Sequence, residues 1–420
     1  MDKFVIEGGH RLTGKVSVSG SKNALLALMP AVLLAPGTYT IHNSPNLRDV
    51  WTFSRLLGSI GVHCELNNNE LFFDSSNITS YEAPYEHVKK MRASIYVLGP
   101  LVARYGKAKI SLPGGCAFGP RPVDLHLKGM EKLGAKITLD AGYINAEAER
   151  LHGAKFNFDI SSVGATVNML LAASLAKGTS LLTNSATEPE VTALARMLVK
   201  MGAKIDGIGT TTLEIEGVDE LHPVDETNIP DRIEAATFLI AAAMTQGKIT
   251  MTNVNPYHLT NVVAKLEEVG CTVDVTGETI ELEMSGPPSP SHITTAPYPG
   301  FPTDTQAQWT ALMLLANGTS RTTDTIYTTR FGYVPELQRM GANIEIVDNT
   351  AIVYGGNKLQ GTTVMSSDLR ASASLILAAL VAEGKTDVLR VYHLDRGYER
   401  LEHRLSALGA NIKRVHTEEY

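Results

Sequence analysis

The sequence predicts an α/β protein of two lobes, an inside-out α/β barrel made of six repeats of a roughly 70-residue unit, three per lobe. Three observations predict it. An apolar residue, Gly, a small residue and an apolar β-type residue two positions on recur as IGVHCEL, LGAKITL, MGAKIDG, VGCTVDV, MGANIEI and LGANIKR. Their glycines, Gly61, Gly134, Gly202, Gly270, Gly341 and Gly409, are spaced by 73, 68, 68, 71 and 68 residues. A second series, Gly37, Gly106, Gly178, Gly247, Gly318 and Gly384, each ending an apolar run, precedes the first by 23 to 28 residues and stays in step with it.

Each copy reads the same way. An inner helix of small and apolar residues ends at the earlier Gly, which accepts the left-handed conformation of a helix C-cap. ATVNMLLAASLA, RIEAATFLIAAAM and ASASLILAALVA are apolar nearly all round, so these helices need cover on every side. A strand follows, such as YTIHN, AKISL, SLLTN or KITMTN. Next comes an amphipathic helix such as HLTNVVAKLEEVG, with Lys and Glu between apolar residues at helical spacing. The later Gly ends it, and two strands such as NIEIV and TAIVYG close the unit, with one further short strand expected. The packing that satisfies both helix types puts the apolar helices inside and the sheets around them.

A chain of 420 residues exceeds one ordinary core, which also points to two domains. With 44% apolar and 19% charged residues the composition is that of a soluble globular protein. The net charge of −7 argues against nucleic acid as the main partner. The longest apolar stretches, LLALMPAVLLA and AATFLIAAAM, are too short to span a bilayer, and MDKFVIEGGH lacks the apolar run of a signal peptide. A cytoplasmic location with no membrane partner is the expectation. Cys64, Cys116 and Cys271 form neither a disulfide framework nor a zinc-ligand pattern, and no metal is expected.

Aligned copies differ at the start of the inner helix. The residues there are Lys22 and Asn23; Arg92; Val163 and Gly164; Asp231 and Arg232; Asp304; and Asp368 with Arg370. An Asp at such a place is an ordinary N-cap. A Lys or Arg there opposes the helix dipole, so Lys22, Arg92 and Arg370 are candidates for binding an anion. The loops before the second helix add Arg48, Arg121, Glu188 and Glu190, Tyr257, Arg330 and Arg396. Two lobes facing each other by these ends would gather Lys22, Arg48, Arg121, Arg370 and Arg396 around a phosphate or carboxylate, for which the planar guanidinium is suited.

Copy two breaks the pattern. SLPGGCAFGPRPVDLH carries Pro113, Gly114, Gly115, Gly119 and Pro120, a composition that marks an exposed loop. Cys116 at its middle has no core to bury in, and Arg121 nearby favours its thiolate. Cys64 and Cys271, each beside a Gly phrase in a packed element, read instead as buried and inert.

PGGCAFGPRPVDLH, SGSKNALL, MRASIYVLGPLVAR, SVGATVNML, FPTDTQAQ, SSDLRASASL and YHLDRGYERLEHRLSALGANI resemble the UDP-N-acetylglucosamine 1-carboxyvinyltransferase family, over essentially the whole chain. The resemblance implies a lobe of residues 22–228 and a second of 1–21 with 229–420, the active site lying in the cleft between them. It implies transfer of enolpyruvyl from phosphoenolpyruvate to the 3′-hydroxyl of UDP-N-acetylglucosamine through a tetrahedral ketal, with release of phosphate, in peptidoglycan synthesis. By the same resemblance Cys116 is the proton donor, forms a covalent phosphoenolpyruvate adduct and is alkylated by fosfomycin. Asp304 is the candidate base and Asp368 a second catalytic candidate near the reacting centre. Lys22, Asn23, Arg121, Arg370 and Arg396 would hold phosphoenolpyruvate. Arg92, Arg121, Pro122, Val123, Asp124, Leu125, Ser162, Val163, Gly164, Asp304 and Ile326 would contact the nucleotide sugar. No cofactor is implied. Where some members carry Lys before Ser-Val-Gly, this chain has Ile160 and Ser161. Two other readings compete: a 3-phosphoshikimate 1-carboxyvinyltransferase, against which the PGGC loop and RPVDLH argue, and a non-catalytic phosphate-binding scaffold.

Overall fold

The structure, a computed structural model, describes residues 2–88, 91–112 and 123–417, with Arg92 described by its backbone alone. The chain divides into two compact units, Met1–Ser19 with Pro230–Tyr420, and Gly20–Ile229. Each has its own apolar core.

Among the described residues each unit holds three four-stranded sheets built to one plan. In the third copy the order is Lys155–Asn157, Thr179–Thr183, Thr212–Glu216, Lys204–Asp206. The first two strands pair parallel and the rest antiparallel. The short first strand is the extra one expected from the sequence. Alternation along Thr179–Thr183 and Thr212–Glu216 puts Leu182, Leu213 and Ile215 on the buried face.

Two sheets take strands from distant sequence. Asp225–Thr227 pairs with Thr38–His42 as the first strand of copy one. Thr13–Ser17 does the same beside Lys248–Thr252 in copy four. In copy six Asp2–Glu7 takes the place of the closing strand, between Lys385–Leu389 and Asn411–His416. The N-terminal 19 residues are therefore integral to the unit that holds the last three copies.

The inner helices are buried as their composition requires. Every residue of Ile233–Met244 is buried, as is every residue of Leu369–Ala379. The helices Arg232–Met244, Gln306–Met313 and Leu369–Ala379 pack on one another within their unit. The second helices, such as Pro189–Lys200, bury one face only.

The two glycine series behave differently. All six later glycines have positive φ, from +94° at Gly341 to +115° at Gly61; Gly61 is itself the C-cap of its helix, and the other five come directly after the C-cap residue. In the earlier series only Gly106 directly caps an α-helix, Leu98–Tyr105, with its N–H on the Val102 carbonyl. Elsewhere the helix stops sooner, as at Leu28 or Ala379, and tight turns carry the chain on to the Gly. In copy four Gln246 takes the left-handed place, and Gly247 serves a close approach: a Cβ there would lie 2.2 Å from the Leu12 carbonyl oxygen.

Candidate active site

The three acidic helix starts of the second half do not all do the same work. Asp231 caps Arg232–Met244, its Oδ1 accepting from the Ile233 and Glu234 amides at 2.8 and 2.9 Å. Asp368 caps Leu369–Ala379 in the same way through Arg370 and Ala371, with Ser367 Oγ on its other oxygen. Asp304 does not cap. It lies within the 3-10 turn Thr303–Thr305, and its carboxylate faces two guanidiniums instead. Arg330 Nη1 donates to Oδ1 at 2.8 Å and Arg370 Nη2 to Oδ2 at 2.9 Å. Burial by itself would raise this carboxyl, but Arg370 and then Arg330 outweigh it and hold the group well below the usual carboxylate range.

Arg370 is itself 5% exposed and turns its other Nη to the Tyr398 hydroxyl at 3.2 Å. That hydroxyl meets Thr237 Oγ1 at 2.8 Å, and Gln308 Nε2 reaches both it and the Asp304 carbonyl. The expected anion-binding Arg370 is thus seated on an internal carboxylate through a buried polar network. Arg330 is the partner that sequence reasoning missed. Its place before the helix Val334–Arg339 grouped it with the loop arginines, but only packing could bring it onto Asp304.

Arg396 closes the 3-10 segment Val391–Arg396 and is half-buried. Its neighbour Asp395 is gripped by both terminal nitrogens of Arg414, at 2.6 and 3.1 Å, while Arg414 Nε reaches Glu402 at 2.8 Å. A bidentate pair of this kind fixes orientation as well as charge. Ile326 is 40% exposed on the turn after the strand Thr319–Thr323, its amide on Asp324 Oδ1.

In the other unit Lys22 opens the helix Lys22–Leu28 behind the Ser21 cap, with Asn23 half-buried beside it. Lys22 Nζ lies 3.4 Å from Asp49 Oδ2, and both side chains are nearly enclosed. Asp49 sits in the first turn of Arg48–Ile60 and offsets a charge that the helix dipole opposes. Arg48 starts the same helix and is exposed. Ser162 caps Val163–Ala173, its Oγ accepting from the Ala165 amide at 3.3 Å. Val123, Asp124 and Leu125 form the start of Asp124–Lys132, with Asp124 exposed. Ile160 is 74% exposed.

His126, absent from the sequence-based set, packs where these last two helices meet. Asn168 Oδ1 accepts from the Gly99 amide at 2.9 Å, and its Nδ2 donates to the Ile95 carbonyl at 3.0 Å. Those backbone partners fix which end of the amide is which. The 2.8 Å contact from Asn168 Nδ2 therefore makes His126 Nδ1 an acceptor and puts the proton of the neutral ring on Nε2. Nε2 faces Gly164. A Cβ there would lie 3.1 to 3.2 Å from the His126 and Tyr96 rings. Gly164→Ala is expected to cost ~1–3 kcal/mol by overpacking, read as a lowered urea midpoint. An unchanged midpoint would show that the two rings give way freely.

Cys116, Arg121 and Pro122 lie outside the described residues, as does the side chain of Arg92. The other two thiols are quiet: burial pushes both Cys64 and Cys271 up to about 12. Among the described residues no cluster of three or more His, Cys, Asp or Glu could hold a metal, and no helix is long and apolar enough to cross a membrane.

Residues 6–405 match the family model of EPSP synthase (3-phosphoshikimate 1-carboxyvinyltransferase). A UDP-N-acetylglucosamine 1-carboxyvinyltransferase of Chloroherpeton thalassium is 59% identical, covering 100% of this chain and 99% of that one. One of Chlorobium chlorochromatii is 56% identical with full coverage of both. Among solved structures, the enolpyruvyl transferase NikO of Streptomyces tendae is 29% identical with a TM-score of 0.90, over 99% of each chain. An EPSP synthase of Acinetobacter baumannii, 18% identical with a TM-score of 0.77 over 99% of this chain and 100% of that one, shares the fold.

Proposed function

This chain belongs to the UDP-N-acetylglucosamine 1-carboxyvinyltransferase branch of the EPSP synthase family, and we propose that it transfers enolpyruvyl from phosphoenolpyruvate to the 3′-hydroxyl of UDP-N-acetylglucosamine in peptidoglycan synthesis. The observation that carries the chemistry is Asp304, which, unlike Asp231 and Asp368 at the equivalent starts, is not spent on a cap and stays ionised between Arg330 and Arg370.

In the addition step the sugar oxygen bonds to C2 of phosphoenolpyruvate, the hydroxyl proton goes to Asp304 and Cys116 gives a proton to the methylene carbon. In the elimination step that carbon loses a proton and the C2–O bond to phosphate breaks. A carboxylate pinned by two guanidiniums is a weak base. An anionic substrate that draws Arg370 away raises the basicity of Asp304 at the moment it is needed. Lys22, Asn23, Arg121 and Arg396 hold the phosphoenolpyruvate oxygens, with Arg370 beside them, and stabilise the developing charge. Arg92, the run Arg121 to Leu125, Ser162 to Gly164 and Ile326 take the nucleotide sugar. Asp368, committed to its helix cap, shapes the centre rather than moving the proton. The reaction takes place in the cytoplasm and asks for no cofactor.

The deciding experiment is phosphate release from phosphoenolpyruvate with UDP-N-acetylglucosamine or with shikimate 3-phosphate as acceptor. Release with the nucleotide sugar alone supports the proposal; release with shikimate 3-phosphate alone sinks it, and release with neither leaves a binding scaffold. A companion prediction concerns the thiols. With Cys64 and Cys271 pushed up to about 12, fosfomycin should label the native chain once, at Cys116. Cys116→Ala should abolish labelling at neutral pH and lower activity at least a hundredfold. Full labelling of that variant would remove the assignment.

A further inference from the structure

Asp324 has no exposed surface and no part in the chemistry above, yet it gathers more donors than any turn needs. Its Oδ1 accepts from the Ile326 and Tyr327 amides, both at 2.9 Å, and from Thr295 Oγ1 at 2.8 Å. Those bonds alone would shape the turn. Its Oδ2 accepts from Thr303 Oγ1 at 2.6 Å. Thr303 precedes Asp304, and its hydroxyl also accepts from Arg330 Nη1 at 3.2 Å, the nitrogen that holds Asp304 Oδ1. The Arg330 guanidinium in turn lies over the Tyr327 ring, 5.3 Å from its centroid.

Asp324 is itself held on both sides, its amide on the Asn349 carbonyl at 2.9 Å and its carbonyl on Asn349 Nδ2 at 3.0 Å. One rigid carboxylate therefore fixes two features at once. One oxygen sets the backbone at Ile326, and the other sets Thr303 and, through it, the Arg330–Asp304 pair. Resting on the function proposed above, we propose that Asp324 is a positioning residue that holds the Asp304 base and the nucleotide-sugar contact at Ile326 in register. The Thr303 hydroxyl is the link, since it donates to Asp324 and accepts from Arg330, which a methyl group cannot do.

The test uses the full chain with phosphoenolpyruvate and UDP-N-acetylglucosamine. Thr303→Val keeps the shape of the side chain and removes the hydroxyl; Thr303→Ser keeps the hydroxyl. Thr303→Val is expected to lower kcat about tenfold with KM for the nucleotide sugar within about twofold, because misplacement acts on the reacting geometry. Thr303→Ser should stay within about twofold of the unaltered kcat. Asp324→Asn places an NH2 donor against Thr303 and should both lower kcat and raise KM for the nucleotide sugar, each about tenfold. Equal kcat for Thr303→Val and Thr303→Ser overturns the proposal, and so does Asp324→Asn with unchanged constants. Should Asp324→Asn fail to fold, the Thr303 pair still decides. An unaltered chain that releases no phosphate speaks against the function itself, whereas an active chain with indifferent variants speaks against Asp324 alone.

Discussion

Asp304→Asn is expected to lower kcat by about a thousandfold while phosphoenolpyruvate and the nucleotide sugar still bind. General base catalysis contributes roughly 10²–10⁴ to such a step, and an amide of the same shape cannot take the proton. The variant should also lose stability, because Arg330 and Arg370, with side chains 11% and 5% exposed, are left facing a neutral group. Breaking a buried pair from one side costs about 3–5 kcal/mol. The pH dependence has a definite sign. The folded-state pKa of Asp304 lies well below that of an unfolded Asp, near 3.9. Its stabilising effect is therefore complete above about pH 4 and fades as pH falls toward the folded value. Thermal melts of the two proteins should differ most at neutral pH and converge in acid. A variant that keeps more than a tenth of kcat would take the proton transfer away from Asp304.

Arg404→Met is expected to be the most destabilising change outside the site. Glu234 is 2% exposed in the first turn of Arg232–Met244, where it accepts from the Ser19 amide at 2.7 Å and from Arg404. Arg404 also reaches Ser19 Oγ and the Ser17 carbonyl and lies over the Phe238 ring. Together the pair holds the end of the N-terminal segment against its own unit. Removing the guanidinium strands a buried carboxylate, at about 3–5 kcal/mol. Burial already raises the Glu234 carboxyl, with Arg404 the chief opposing influence. In the variant the raised folded value lies above the unfolded value of about 4.3. The penalty is absent below that pH and grows as pH rises through the folded pKa. Melting temperatures of variant and parent should therefore diverge from pH 5 to pH 8, and adding Glu234→Leu should recover most of the loss. A pH-independent difference would place the effect in lost packing on Phe238 rather than in the charge.

The fold was legible because repetition amplifies weak signals. One Gly phrase is a faint hint of a helix end, but six in phase define a unit, and all six later glycines have the left-handed φ that a helix stop demands. The earlier series was over-read. Five of its glycines lie beyond the helix end, since the chain can exit a helix through several tight turns that leave the same residue types behind. Which strand completes which sheet was only partly legible. That Thr13–Ser17 joins copy four and Asp225–Thr227 joins copy one follows from long-range pairing, to which a short strand contributes almost no pattern of its own.

The candidate site divides along the same line. By itself the sequence determined the six-copy frame, the inner and outer helices, and the places where copies differ in charge: Lys22, Asp231, Asp304, Asp368, Arg370, and the loop of copy two with Cys116. Those are local properties of type and spacing. Tertiary structure alone decided what each charge does. Asp231, Asp304 and Asp368 occupy equivalent starts, yet two cap helices and one holds two arginines, because Arg330 and Arg370 come from 26 and 66 residues away. The tautomer of His126 and the reach of Asp324 are likewise set by partners distant in sequence. The fate of a charge depends on the dielectric and the donors around it, and folding alone brings those together.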